Sequence, residues 1–142
     1  MKKILILLTI FGLMSCNLND SFKGFIQDND EKSEIIVKLA DSYLAGNFDM
    51  ARDYFTPDGK HFFNNLEFDV DGIIDGYNSH SLIFKDIKHN DREVYTATFA
   101  DGTVETFHDF DWSATSILTG KEYSYPCHCR WVWVCLLYTS PS

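Results

Sequence analysis

A histidine on an otherwise apolar strand face is the clearest candidate for chemistry in this chain. Val104, Thr106, His108, Phe110 and Trp112 alternate with Glu105, Phe107, Asp109 and Asp111, and alternate residues of a strand share a face. The first set is the more apolar, so it should turn inward and carry His108 onto a pocket wall. An imidazole there can serve as general acid or base near neutral pH with little tuning. The plainer alternative is a core or rim histidine satisfied by one hydrogen bond. Tyr43 and Tyr54 could offer hydroxyls to a bound ligand, and Phe62, Phe110 and Trp112 could line its pocket. Tyrosines at the boundary of amphipathic helices also serve packing alone. No carboxylate reads as buried: Asp58 and Asp75 fall in or near turns and helix faces, and Asp109 and Asp111 fall on the outward strand face. His108 is therefore the single catalytic candidate, and binding without catalysis is the leading expectation.

Cys127 and Cys129 stand two apart in an extended stretch, which puts both on one face and is poor geometry for a mutual disulfide. His128 between them points to the opposite face, and no second pair of ligands accompanies it. Two packed or free thiols are expected, with no metal and no cofactor.

The elements that must hold these residues follow from periodicity. Residues 34–45 read as a helix with Ile35, Ile36, Leu39, Tyr43 and Leu44 near one face and Gly46 beyond its end. Residues 47–55 predict a second helix through Phe48, Met50, Ala51, Tyr54 and Phe55, closed by Pro57-Asp58-Gly59. Residues 60–66 are short and aromatic, and residues 69–84 predict a third helix. The period then changes to two. Residues 92–100 form a strand, Asp101-Gly102 a hairpin turn, and residues 103–114 the returning strand. A loop with Thr119-Gly120-Lys121 leads into a strand over 123–134, where Cys127, Cys129, Trp131 and Trp133 share a face. Helices followed by an antiparallel meander predict an α+β domain with helices on one sheet face.

At the N-terminus, Lys2 and Lys3 precede an apolar run from Ile4 to Met14 that is too short to span a bilayer but suits a signal-peptide core. It ends in Leu13-Met14-Ser15-Cys16, which resembles the lipobox of bacterial lipoproteins. The resemblance implies cleavage before Cys16 and a diacylglycerol on its thiol. It further implies an envelope protein, lipid-anchored to the outer membrane of a Gram-negative bacterium, with residues 1–15 as signal peptide. Two acyl chains make such anchoring stable where one is marginal. The polar residues after Cys16, to about residue 32, read as a tether.

Tyr43-Leu44-Ala45-Gly46-Asn47-Phe48, continuing through Tyr54-Phe55-Thr56-Pro57-Asp58, resembles the opening of the nuclear transport factor 2-like superfamily, in its SnoaL-like (polyketide-cyclase-like) branch. Thr119-Gly120-Lys121, Pro126 and the stretch from His128 to Trp133 resemble its later strands. The resemblance covers about residues 34–134. It implies a cone, in which a bent sheet wraps a long helix and leaves an apolar pocket at the open end. It also implies sheet-mediated homodimers, and enzymes of the isomerase, cyclase or dehydratase kind among the relatives. The family's Asp-Gly-Lys-Ile turn is replaced here by residues 135–142, which resemble a translated sequencing adapter. On that reading the domain spans 33–134 and lacks its last strand, and Cys135 drops out of the cysteine count.

Composition narrows the partners. The net charge is −9, and Lys2 and Lys3 would leave with the signal. So acidic a surface excludes nucleic acid, whose affinity depends on cations neutralising phosphates. Aromatic residues make up 15% of the chain, which favours a ring-lined pocket for a small apolar or aromatic ligand. A lipid-anchored binding module, an enzyme using His108 as proton shuttle, and a purely structural envelope protein are the three expectations.

Overall fold

Asp30 starts the first helix. Its carboxylate accepts hydrogen bonds from the backbone N–H of Lys32 at 2.9 Å and Ser33 at 3.2 Å, filling donors that a helix cannot satisfy internally. The computed structural model describes residues 23–134. In it this helix, α1, spans Glu31–Leu44 and buries Ile35, Ile36, Leu39, Ala40 and Tyr43. It ends at Gly46, whose φ of 77° favours a residue without a side chain. Ahead of it Gly24–Gln27 forms a short strand, β1. The segment read as tether therefore ends sooner than residue 32, because its last part finds a sheet edge to pair with.

The second helix expected over 47–55 is a 3₁₀ turn over Asp49–Asp53. Its tighter winding turns Phe48, Ala51 and Phe55 inward and leaves Met50 and Tyr54 exposed. The aromatic stretch after it is a hairpin, with β2 over His61–Phe63 and β3 over Leu66–Phe68 joined at Asn64-Asn65. Helix α2 covers Val70–Ile83 and is capped by the Asp69 carboxylate, which accepts from the Gly72 N–H at 2.7 Å.

Three long strands follow: β4 over Phe84–Phe99, β5 over Val104–Ser116 and β6 over Glu122–Trp133. With β1 they form one antiparallel sheet in the order β1-β4-β5-β6. The chain is thus α+β, with two α-helices and a curved antiparallel sheet. Strand β4 begins at Phe84, eight residues before the expected Arg92, and carries two bulges. One extra residue lies between Lys85 and Lys88 and another between Asn90 and Glu93. Asp86 and Asp91 take positive φ there, at 56° and 49°, as short polar side chains tolerate better than most. Each bulge bends the strand and reverses which residues face the helices.

The core lies between α1, α2 and the inner sheet face, around Ile36, Leu39, Phe48, Ala51 and Ile74. A hydroxyl chain crosses it. Trp133 Nε1 donates to Thr106 Oγ1 at 2.8 Å, which lies 2.8 Å from Thr96 Oγ1, itself 2.9 Å from Ser33 Oγ. Ser33 donates onward to the Asp30 carboxylate at 2.8 Å. Because an indole N–H only donates and a carboxylate only accepts, the chain has one direction from Trp133 to Asp30. Burial alone would raise the Asp30 carboxyl, but the hydroxyls of Ser33 and Thr96 and the nearby backbone N–H groups outweigh it and hold it below the usual range. No helix among the described residues is long and apolar enough to cross a membrane. Cys16, the signal segment and residues 135–142 lie outside the described residues, and so does any strand beyond β6.

Candidate binding site

Register brings the expected inner-face residues together. His108 pairs with Val94 on one side and Cys129 on the other, Phe110 with Cys127, and Thr106 with Thr96 and Trp131. Asp109 and Asp111 take the opposite face, as their alternation requires. There Asp109 meets His128 Nδ1 at 3.0 Å and accepts from the Tyr95 hydroxyl at 3.2 Å. His128 is exposed, and the Cys127 and Cys129 thiols are free. Burial pushes the Cys129 thiol up to about 12, which keeps it an unreactive SH. No trio of His, Cys, Asp or Glu among the described residues is placed to hold a metal ion.

His108 is 3% exposed. Its ring lies 4.3 Å from that of Phe110 and 5.2 Å from that of His89. His89 is clasped between Phe110, stacked at 3.7 Å, and Tyr43, stacked at 5.3 Å. Neither nitrogen of His89 and not the Nε2 of His108 has a hydrogen-bond partner in the protein. Burial is the main reason both stay neutral, since a charged imidazole loses its hydration there. It lowers His89 to about 3, helped by the charges of His108 and Arg92 and opposed by Asp41. It lowers His108 to about 4, helped by Arg92 and opposed by Asp109 and Asp41. A base this weak takes few protons at neutral pH.

A second cluster adjoins the first. Trp112 Nε1 donates to the Tyr43 hydroxyl at 2.8 Å, and that hydroxyl lies 2.8 Å from His80 Nδ1 in the last turn of α2. Burial raises Tyr43 to about 12, and lowers His80 below its usual value. A path of ring contacts runs outward from here. Phe63 meets His80 at 6.5 Å, His80 meets Trp112 at 6.3 Å, and Trp112 stacks on Tyr125 at 6.4 Å. Phe84 packs edge-on to Trp112 and Tyr123. Phe63 and Tyr125 are both open to solvent, Tyr125 at 54%. The result is a ring-lined end of the inner face with imidazoles behind it, and Lys121 Nζ stands 4.9 Å over the Tyr123 ring at its edge.

Of the residues expected at the site, Tyr43, His108, Phe110 and Trp112 are brought together. Tyr54 and Phe62 are not. Tyr54 stands 39% exposed because the 3₁₀ winding gives the inward position to Phe55, whose ring meets Phe48, His61 and Trp131. Phe62 is 61% exposed, and its neighbour Phe63 contacts Tyr77 and His80 instead, since adjacent strand residues face opposite ways. His80, His89, Phe84 and Tyr125 were missed. The bulges concealed His89, while Tyr125 could have been found by extending the alternation of β6 backward from Cys127. Two surface grooves lie elsewhere. One of about 610 Å³ runs along Gly46, Asn47, Asp75 and Asn78, and one of about 310 Å³ along Arg52, Phe55 and Asp69. Comparison with family models, with curated proteins and with solved structures finds no match to this chain.

Proposed function

We propose that this is a lipid-anchored envelope module with a SnoaL-like, cone-shaped domain that binds a small apolar or aromatic ligand without transforming it. The observation that carries the binding reading is the ring path from Phe63 through His80 and Trp112 to Tyr125, solvent-open at both ends. Aromatic walls of this kind gain stacking energy beyond the area they bury. Against catalysis by His108 stand its burial, its weak basicity and its unpartnered Nε2. Anchoring is supported by Lys2, Lys3 and the apolar run before Leu13-Met14-Ser15-Cys16. In cells fed labelled palmitate, the wild-type chain should take up label and Cys16→Ala should take up none; label retained by the variant would refute the anchor.

Binding is tested by titrating the full chain with 1-ethylnaphthalene and following tryptophan emission. Saturable quenching is expected. Tyr125→Ala should weaken it about threefold to tenfold, the worth of one aromatic contact. Quenching that never saturates, or is indifferent to Tyr125, would refute the reading. The outer sheet face supports a second reading, homodimerisation, because Ile26, Phe99 and Val132 stand exposed beside the stacked Tyr95 and Phe107 rings.

A further inference from the structure

Where β4 begins and β5 ends, the sheet carries an apolar tip that the core does not use. Two connections meet there, the α2–β4 junction at Leu82-Ile83 and the β5–β6 turn at Ile117-Leu118. A backbone hydrogen bond of 3.0 Å from the Ile117 N–H to the Ile83 carbonyl ties them side by side. All four side chains are exposed, and Leu118, at 93%, is the most open large apolar residue among the described residues. The turn is braced from within. The Gly120 N–H donates to the Ser116 carbonyl at 2.9 Å, the Ser116 N–H to the Lys121 carbonyl at 2.8 Å, and the Thr119 N–H to Ser116 Oγ at 3.2 Å. Scattered exposed apolar residues need no explanation, but four held together on a braced end mark a contact surface.

The charge around the tip departs from that of the chain. Within residues 79–88 and 113–125, Lys85, Lys88 and Lys121 stand against Asp86 and Glu122, a cationic excess on a chain of net charge −9. Lys121 Nζ lies 4.9 Å over the Tyr123 ring, and Tyr125 is exposed on the same strand. Leucine and isoleucine in front, with tyrosine and lysine behind, suit a membrane–water interface. There the rings settle at headgroup level and the ammonium groups reach lipid phosphates. We infer that this tip inserts shallowly into the interfacial layer of an anionic lipid bilayer. Leu82 also edges the groove that holds Asp49 and Asp75, so Ile83, Ile117 and Leu118 lead the insertion. The contact is separate from the acyl anchor read at Cys16 and does not rest on it, since β1 starts opposite Phe99, at the other end of β4 from the tip.

The test is flotation of the full chain with mixed phosphatidylcholine–phosphatidylglycerol vesicles. Leu118→Asp should weaken binding about tenfold. Ile26→Asp, at another exposed apolar residue towards the opposite end of the sheet, should leave it unchanged. Residues 1–22 are the same in all three chains, so binding through them is common to the comparison. Depth is read on Leu118→Trp, whose added emission should be quenched by phosphatidylcholine brominated on its acyl chains. Raising the salt concentration should weaken that quenching, because the lysines then attract the phosphates less. Leu118→Asp floating as the wild type does, or Leu118→Trp emission indifferent to the brominated lipid, would overturn the inference. So would Ile26→Asp losing as much binding as Leu118→Asp. If the tip instead meets a second copy, Leu118→Asp abolishes a concentration-dependent dimer seen without vesicles and the added tryptophan stays unquenched, which overturns it as well.

Discussion

Lowering the pH from 7.5 to 5 should destabilise this fold by several kilocalories per mole, well before most carboxylates protonate. The cause is the buried pair His89 and His108, lowered to about 3 and about 4 in the folded state. An unfolded histidine titrates near 6.5, so between that value and the folded one the unfolded chain binds the extra proton. Stability is complete above about pH 7, and is lost as pH falls through 6.5 towards the folded values. For His108 alone the loss at pH 5 is about 2 kcal/mol, and His89 adds to it in the same direction. His61 and His80, also lowered by burial, contribute with the same sign. Urea unfolding followed by circular dichroism at the two pH values measures the effect. The double variant His89→Phe, His108→Leu should show a clearly shallower pH dependence; one as steep as the wild type's would refute the assignment to this pair.

The second large effect concerns the hydroxyl chain. Thr106 has 0% exposure and stands in its middle, accepting from Trp133 and donating to Thr96. Thr106→Val keeps the shape and leaves no cavity, but strands the Trp133 N–H and removes a donor from Thr96 Oγ1. A buried polar group left without its partner costs about 1 to 3 kcal/mol, so a loss of about 2 kcal/mol is expected. Pairing it with Trp133→Phe separates polar satisfaction from packing. With both hydrogen-bonding ends gone, the double variant should lose less than the two single losses combined, by about 1 kcal/mol. Strict additivity in the urea midpoints would mean that the chain contributes no more than its separate contacts.

The two α-helices and the β4–β5 turn were legible because each rests on local signals. The alternation of Ile35, Ile36, Leu39 and Tyr43 fixes a helical face, Gly46 ends it, and Asp101-Gly102 closes a hairpin whose Gly102 takes a φ of 88°. The inner face of β5 was legible for the same reason, since Thr106 to Trp112 alternates without a break. The 3₁₀ turn was misread as an α-helix because over five residues the two windings place apolar residues almost alike. The β2–β3 hairpin was missed because His61–Phe63 and Leu66–Phe68 are too short to display a period.

By itself the sequence determined an α+β chain with His108, Phe110 and Trp112 on one inward strand face and Tyr43 on the helix above them. That much needs only periods of 3.6 and 2, which local backbone geometry enforces. Only the tertiary structure decided that His89 joins His108 and that His80 joins Tyr43 and Trp112. Two bulges reverse the facing of β4 between Lys85 and Glu93, so simple alternation carried back from Val94 puts His89 on the wrong side. His80 reaches the site because the end of α2 packs over Trp112, a contact between residues 32 positions apart that no local pattern encodes. Burial, which keeps all three imidazoles neutral, belongs to that packing as well.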